Sequence, residues 1–330
     1  MKVIILMAGF GTRLRPHTYS RPKALINVAG KPMIAHIMDA LQGLDIEEYI
    51  CVVGYLGDQI EDYFRKTYPV KARFVVQEQL LGQAHAIHLC KDYLEGPAIV
   101  LFSDTIFEAD LTVLADETAD AVAFVKEVDD PRRFGVVALG KEGFITGFVE
   151  KPESMDNRLA LIGLYYVRDS GRMIRAIEAL MAENRMTKGE FYIADAFGIM
   201  VREGARFRTE RVETWLDCGK PETVLETTRY LLAHGHDNSA NFQNNTVAVI
   251  PPVHIDPTAV IEHAVIGPNA VIAAGCTVRN SIIRDSIVEE GAVVENALLT
   301  ESLVGQRAHV SGHFSRLDVG DESSMDVDEA

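Results

Sequence analysis

The stretch LMAGFGTRLRPHTYSRPKALINVAGK, Leu6–Lys31, decides how the chain is read. It follows the apolar run Val3-Ile4-Ile5-Leu6, which reads as a buried first strand, so its glycines fall where a strand of an open α/β sheet ends and a loop begins. Ligands of such sheets bind at that edge. Gly9 and Gly11 let the backbone turn sharply and bring N–H groups close to phosphate oxygens, while Arg13, Arg15, Arg21 and Lys23 add positive charge. Residues 1–38 hold six Lys/Arg and no Asp or Glu, although the chain as a whole carries a formal charge of −16. Such a local reversal suits a polyphosphate. The string lacks the Gly-Lys-Ser/Thr of the ATPase P-loop, and Leu14 stands where a dinucleotide fingerprint needs its third glycine.

The 330 residues, 48% hydrophobic and 24% charged, suit one large domain plus a smaller one. No apolar run approaches the roughly 18–20 residues of a membrane span, and the first strand begins without a signal-peptide pattern, which points to a cytoplasmic protein with no membrane partner. The excess of acid argues against nucleic acid as a partner. Cys51, Cys90, Cys218 and Cys276 are scattered, fitting neither a disulfide framework nor a zinc site, and read as buried free thiols.

Helical periodicity over Met33–Leu44, Ile60–Lys66 and Gln83–Tyr93 alternates with strand-like Tyr49–Val53, Ala72–Gln77 and Ala98–Phe102. The alternation predicts a doubly wound, mixed but mostly parallel sheet covered on both faces. Four β-like runs between residues 119 and 167 predict mixed or antiparallel additions, with Tyr165 and Tyr166 turned to opposite sides of a strand, one inward and one outward. Helical patterns return at Gly171–Glu183, Phe191–Glu203 and Pro221–Ala233. His85 and His88 share a helix face at i, i+3 without an acidic or Cys partner to complete a metal site, and read as packing or surface residues.

A polar run from His234 to Thr246 reads as a linker, and beyond it the texture becomes a repeat. Ile255, Ile261, Ile266, Ile272, Val278, Ile283, Val288, Val294, Leu299 and Val304 recur every five or six positions, in step with a second set running from Ala259 to Ala308. An antiparallel sandwich, with turns every 8–12 residues, fits that spacing poorly. Ten sides make about three coils of a solenoid, whose open ends and flat faces predict a homo-oligomer. The organisation is then a catalytic domain (1–234), a linker (235–249), the repeat region (250–316) and an acidic tail (317–330).

Gly9-Phe10-Gly11-Thr12-Arg13-Leu14, followed by Arg21-Pro22-Lys23 and Gly30-Lys31-Pro32-Met33, resembles the signature of the sugar-1-phosphate nucleotidyltransferases. The repeat resembles the hexapeptide left-handed β-helix found in members of that family. With this tail the chain is most similar to the long-form glucose-1-phosphate thymidylyltransferases and their UTP-using relatives. The resemblance implies a Rossmann-like α/β domain followed by a short left-handed β-helix. It also implies transfer of a nucleotidyl group from dTTP or UTP to a hexose 1-phosphate, with Mg²⁺ as cofactor. The guanylyltransferases acting on mannose 1-phosphate share both features and are the alternative. Two readings of another class are a β-helix acyltransferase and a non-catalytic sugar-nucleotide-binding subunit.

By the same resemblance, Leu6, Ala8, Gly9, Gly11, Thr12, Arg13 and Lys23 wrap the triphosphate, and Arg13 and Lys23 neutralise it. Asp104 ends the apolar run Ile99–Phe102 and Asp217 lies in Trp215-Leu216-Asp217, matching the two metal-binding aspartates, with Ser103 where the family often has glycine. Gln77 and Gly82 match the base-recognition segment; a Gln amide can both donate to and accept from a pyrimidine edge. Gly135, Glu150, Lys151 and Gly163 match contacts to the sugar phosphate.

Overall fold

The computed structural model describes residues 1–242 and 245–313, so the acidic tail 317–330 and the last residues of the repeat region lie outside it. The chain divides into two compact units, Met1–Thr227 and Thr228–Ala330.

The first unit is built on β1 (Lys2–Met7), α1 (Met33–Ala40), β2 (Glu48–Val53), α2 (Gly57–Thr67), β3 (Ala72–Val76), α3 (Gln83–His88) and β4 (Ala98–Phe102). β5 (Thr105–Glu108), β6 (Ala121–Glu127), β7 (Gly135–Leu139), β8 (Ile145–Glu150) and β9 (Leu159–Val167) follow. α4 (Ser170–Ala182), α5 (Ile193–Arg202), β10 (Phe207–Arg211), β11 (Thr214–Asp217) and α6 (Pro221–Leu231) complete the series, α6 ending just past the boundary of the unit. Nine strands form one mixed sheet ordered β8-β7-β9-β4-β1-β2-β3, with β6 on β9 and β10 on β6. β4, β1, β2 and β3 run parallel, and β9 turns the order by pairing antiparallel with β4.

Burial on both faces explains the unbroken apolar run of β1. Ile4 packs into one cluster with α3, α4 and α5, through Ile87, Ile177 and Phe197. Val3 and Ile5 pack into the other with α1 and α2, through Ile37 and Phe64. The same coverage corrects the expectation for the tyrosines: Tyr165 and Tyr166 point to opposite faces, yet both are buried, because each face carries a helical layer. The helical run expected over Gln83–Tyr93 breaks after His88 and resumes as a 3₁₀ turn at Lys91–Tyr93. All four cysteines are buried free thiols, with burial pushing Cys90 and Cys218 up to about 12.

In the second unit three sheets of four short parallel strands stack, coil over coil, into a left-handed β-helix. Among the described residues there are four coils rather than three, because two more sides flank the ten expected: Val247–Val249, inside the run read as linker, and His309–Ser311 at the far end. That run is also partly structural. Asp237 accepts from the Val253 N–H at 3.0 Å, and the Asn238 amide both accepts from the Ile255 N–H and donates to its carbonyl. The five-to-six-residue aliphatic series fills the interior, with Ile266, Ile272, Val278, Ile283, Val288 and Val294 fully buried. In the second series Ala270, Cys276 and Ala292 also face in, whereas Ile282, Ile287 and Leu298 lie on the outward side of their strands, Ile287 buried there and the other two exposed. Among the described residues no helix is long and apolar enough to cross a membrane.

Truncating Ile272 to Ala should lower the stability of the β-helix by about 2–5 kcal/mol, the usual cost of emptying a fully buried aliphatic site. Urea unfolding followed by far-UV circular dichroism measures it; a loss below about 0.5 kcal/mol would contradict this account of the core.

Candidate active site

The register of β1 on β4, Leu6 opposite Phe102, brings two chain exits to one edge of the sheet. The glycine loop leaves from the first strand and Asp104 from the second, and the Ser103 N–H, 3.3 Å from the Leu6 carbonyl, ties the exits together. Gly11 sits at φ +62°, where an added Cβ would stand 3.0 Å from the Thr18 methyl. The Thr18 hydroxyl donates to the Gly11 carbonyl at 2.8 Å and closes the turn.

Asp217 arrives by a route the sequence did not show. β5, immediately after Asp104, pairs antiparallel with β11, so that Thr105 lies opposite Asp217. The Cys218 N–H then donates to the Asp104 carbonyl at 3.0 Å. Gly219 completes the junction: a Cβ there would lie 2.7 Å from Arg13 Nη2 and 2.9 Å from Asp217 Oδ1. A glycine is what lets the guanidinium come in beside the carboxylate.

The charges are arranged unequally. Lys23 Nζ lies 2.5 Å from Asp104 Oδ2, with the two side chains only 13% and 29% exposed. Burial pushes the Asp104 carboxyl up, but the charge and hydrogen bond of Lys23, with Arg13 behind, hold it below its ordinary value. Asp217 moves the other way. Burial raises it first and the Asp104 charge second, and Lys23, Arg13 and the Gly219 N–H only partly offset the two.

Two cavities meet here. The first, about 490 Å³, is lined by Leu6, Ala8, Gly9, Gly11, Thr12, Arg13, Lys23, Gln77 and Gly82, together with Asp104. The second is lined by Gly135, Glu150, Gly163 and Asp217. Arg13, Gln83, Phe102 and Asp104 belong to both walls. Phe102 requires Gly163, at φ +82°, because a Cβ there would lie 2.6 Å from its ring. Gly135 lies against Glu150, whose carboxylate a Cβ would meet at 2.8 Å. Burial raises the Glu150 carboxyl, against the lowering charge of Lys151 and with a further rise from Asp195. Lys151 is not in either wall; its ammonium lies 3.7 Å from Glu150 and 3.4 Å from the Tyr192 hydroxyl.

Sequence reasoning missed Phe102, Gln83 and Trp215. Trp215, the chain's one tryptophan, stands in the wall of the second cavity with its ring 4.9 Å from that of Phe134, edge to face. The only sequence signal for Phe102 is its place at a strand end just before Asp104.

The donor chemistry fits a divalent cation. Two carboxylates converge, one of them disfavoured as an anion by burial and by its neighbour, which is the charge imbalance a cation relieves. No group of three His, Cys, Asp or Glu that could hold a metal occurs among the described residues, so such an ion would complete its shell with phosphate oxygens and water.

The sequence profile of the family described as Nucleotidyl transferase matches residues 2–234. The chain is 34% identical over 265 residues to the bifunctional protein GlmU of Methanococcus maripaludis, covering 79% of this chain and 62% of that protein. It thus spans less than two thirds of the length of that relative. Identity to the UTP–glucose-1-phosphate uridylyltransferase AglF of Haloferax volcanii is 33% over 239 residues, 70% of this chain and 96% of that one. A crystal structure of a Bacillus anthracis protein assigned as a glucose-1-phosphate thymidylyltransferase, in complex with a sucrose, superposes with a TM-score of 0.61 at 26% identity. It covers 74% of this chain and 98% of the other.

The opposite shifts of the two aspartates give opposite effects on stability. Asp104, held below its ordinary 3.8, adds stability that is fully present above that value and is lost as pH falls through the folded value. Asp217, held above 3.8, contributes stability only below that value and loses it as pH rises through the folded one, so its ionisation at neutral pH weighs against the native state. At pH 7 without added metal, Asp217→Asn should therefore raise the melting temperature and Asp104→Asn lower it, with both differences shrinking as the pH falls below the carboxylate range. Calorimetric melts at pH 7 check the signs, and a series carried down through 3.8 checks the loss of both differences.

Proposed function

Since the chain belongs to the nucleotidyl transferase family, we propose that it transfers a nucleotidyl group from dTTP or UTP to a hexose 1-phosphate, most suitably glucose 1-phosphate. A phosphate oxygen of the sugar attacks the α-phosphorus of the triphosphate, one P–O bond forms, and the bond to pyrophosphate breaks. The observation that carries this reading is the shared wall: Arg13 and Asp104 line both cavities, with Asp217 beside them. A triphosphate in one cavity and a sugar phosphate in the other would meet there. AglF, matched over nearly its full length, is a uridylyltransferase of glucose 1-phosphate and supports the choice of substrates.

Two polyanions must approach one another, so positioning and charge neutralisation carry the reaction. Arg13 and Lys23 balance charge on the triphosphate and on the leaving pyrophosphate, while the N–H groups of the Gly9–Gly11 turn lie against phosphate oxygens. Asp104 and Asp217 would hold Mg²⁺, which supplies charge neutralisation and alignment of phosphate oxygens. Glu150 accepts hydrogen bonds from sugar hydroxyls in the second cavity, beside Gly135 and Gly163. Lys151, now paired with Glu150, reaches the sugar phosphate only by swinging its flexible chain. The proposal includes a cytoplasmic location and no nucleic-acid or membrane partner.

The β-helix supplies the contact for a homo-oligomer in this proposal. Ala248, Val265, Ile282 and Leu298 are register partners on successive coils, forming an outward apolar stripe in which Leu298 is 79% exposed. Replacing Ile282 and Leu298 by Lys should reduce the mass seen by light scattering at micromolar concentration; a wild-type monomer would overturn this part.

Pyrophosphate release with glucose 1-phosphate and Mg²⁺, compared across dTTP, UTP, GTP, CTP and ATP, tests the activity. Asp104→Asn or Asp217→Asn should each lower turnover by at least about 10²-fold, the scale of a lost electrostatic stabiliser. Mg²⁺-dependent rates equal to wild type in either variant would remove the assigned role, and a clear preference for GTP with mannose 1-phosphate would favour the guanylyltransferase reading.

A further inference from the structure

Gln77 is 5% exposed and lines the first cavity, but its amide cannot both donate to a base and accept from it. Its nitrogen lies 3.1 Å from the Gly82 carbonyl and 3.0 Å from Nδ1 of His85. A carbonyl oxygen only accepts, so the atom facing Gly82 is the –NH₂, whichever way the electron distribution of an amide is drawn. One N–H goes to Gly82. The other goes to His85, whose Nδ1 must then be an unprotonated acceptor and whose ring proton sits on Nε2.

The surroundings hold this arrangement. Gly82, at φ +103°, is pressed against the Phe191 backbone, where a Cβ would lie 2.6 Å from the carbonyl oxygen. The Phe191 carbonyl accepts from the Ala84 N–H at 2.9 Å, and its N–H donates to Leu81 at 2.8 Å. Gln77 is fixed at its own end by the bond from its N–H to the Val53 carbonyl. Burial, and then the nearby His88, lower the His85 imidazole from its ordinary value, in the direction that favours an unprotonated acceptor nitrogen.

We infer that His85 is a positioning residue for nucleobase choice: with Gly82 it occupies both N–H groups of Gln77 and leaves Oε1 as a pure acceptor on the cavity wall. An acceptor there is met by an imide N–H, as at N3 of uracil or thymine. Cytosine instead turns a lone pair towards it at the same place. The inference rests on the proposed nucleotide site and goes beyond it, because it names the chemical sense in which the base is read and a residue, away from the base, that sets it.

The test compares wild type with His85→Phe, which keeps a flat ring but offers no acceptor, and with His85→Asn, whose Oδ1 replaces Nδ1. The readout is kcat/KM for UTP and CTP by pyrophosphate release. Wild type should favour UTP. His85→Phe, with one N–H of Gln77 released, should lower the UTP:CTP ratio by about tenfold or more, mainly through KM, and His85→Asn should restore much of it. An unchanged ratio in His85→Phe, or equal losses with both nucleotides, would overturn the inference, as would a wild-type preference for CTP, which leaves the transferase reading standing. If wild type releases pyrophosphate with no nucleotide, the proposed function fails on its own. The ¹⁵N spectrum of the free wild-type protein still decides the His85 arrangement: protonation at Nε2 alone supports it and protonation at Nδ1 refutes it.

Discussion

Two carboxylates brought close together in a half-buried cleft repel one another, and the first unit is organised around tolerating that. Asp104 is relieved by Lys23 and Arg13, whereas Asp217 remains in deficit. The cost is met by the rest of the fold. β1 and β4 sit at the centre of a sheet buried on both faces, so the loops leaving them start from close-packed positions. Rigid strands allow a cleft to keep charges where solvent alone would let them separate.

Lys23 has a double bearing on this balance. In the structure it is the cation of Asp104, and it is also among the residues that line the cavity suited to a triphosphate. A single ammonium cannot satisfy both a carboxylate and a phosphate chain fully. In the proposed reaction, phosphate and cation entering together would let each anion keep a partner, so the binding of each would favour the other.

Much of the fold was legible because it follows from periodicity. The apolar run of β1, the glycine turn and the alternation of strands and helices are local patterns, and Asp104 was placed by its position at a strand end. Asp217 was named by family resemblance, but what brings it to Asp104 is a ribbon of two four-residue strands, β5 and β11, far apart in the chain and too short to show a period. The first side of the β-helix was hidden for a similar reason: Val247–Val249 is three residues long and follows a polar run. His85 was read as a packing residue because spacing along a helix says nothing of a glutamine eight positions earlier that the loop folds back against it. Lys151 was legible as part of a motif, yet its neighbour Tyr192 draws it out of the cavity wall.

Trp215 lies two residues from Asp217 on the same ribbon, in the wall of the second cavity and edge-on to Phe134. Because the chain has no other indole, its emission, excited at wavelengths that spare the ten tyrosines, reports on that one locality. The molecule thus carries its own optical probe, and titrations of sugar phosphate or cation can be followed on the unlabelled protein, including variants that no longer turn over.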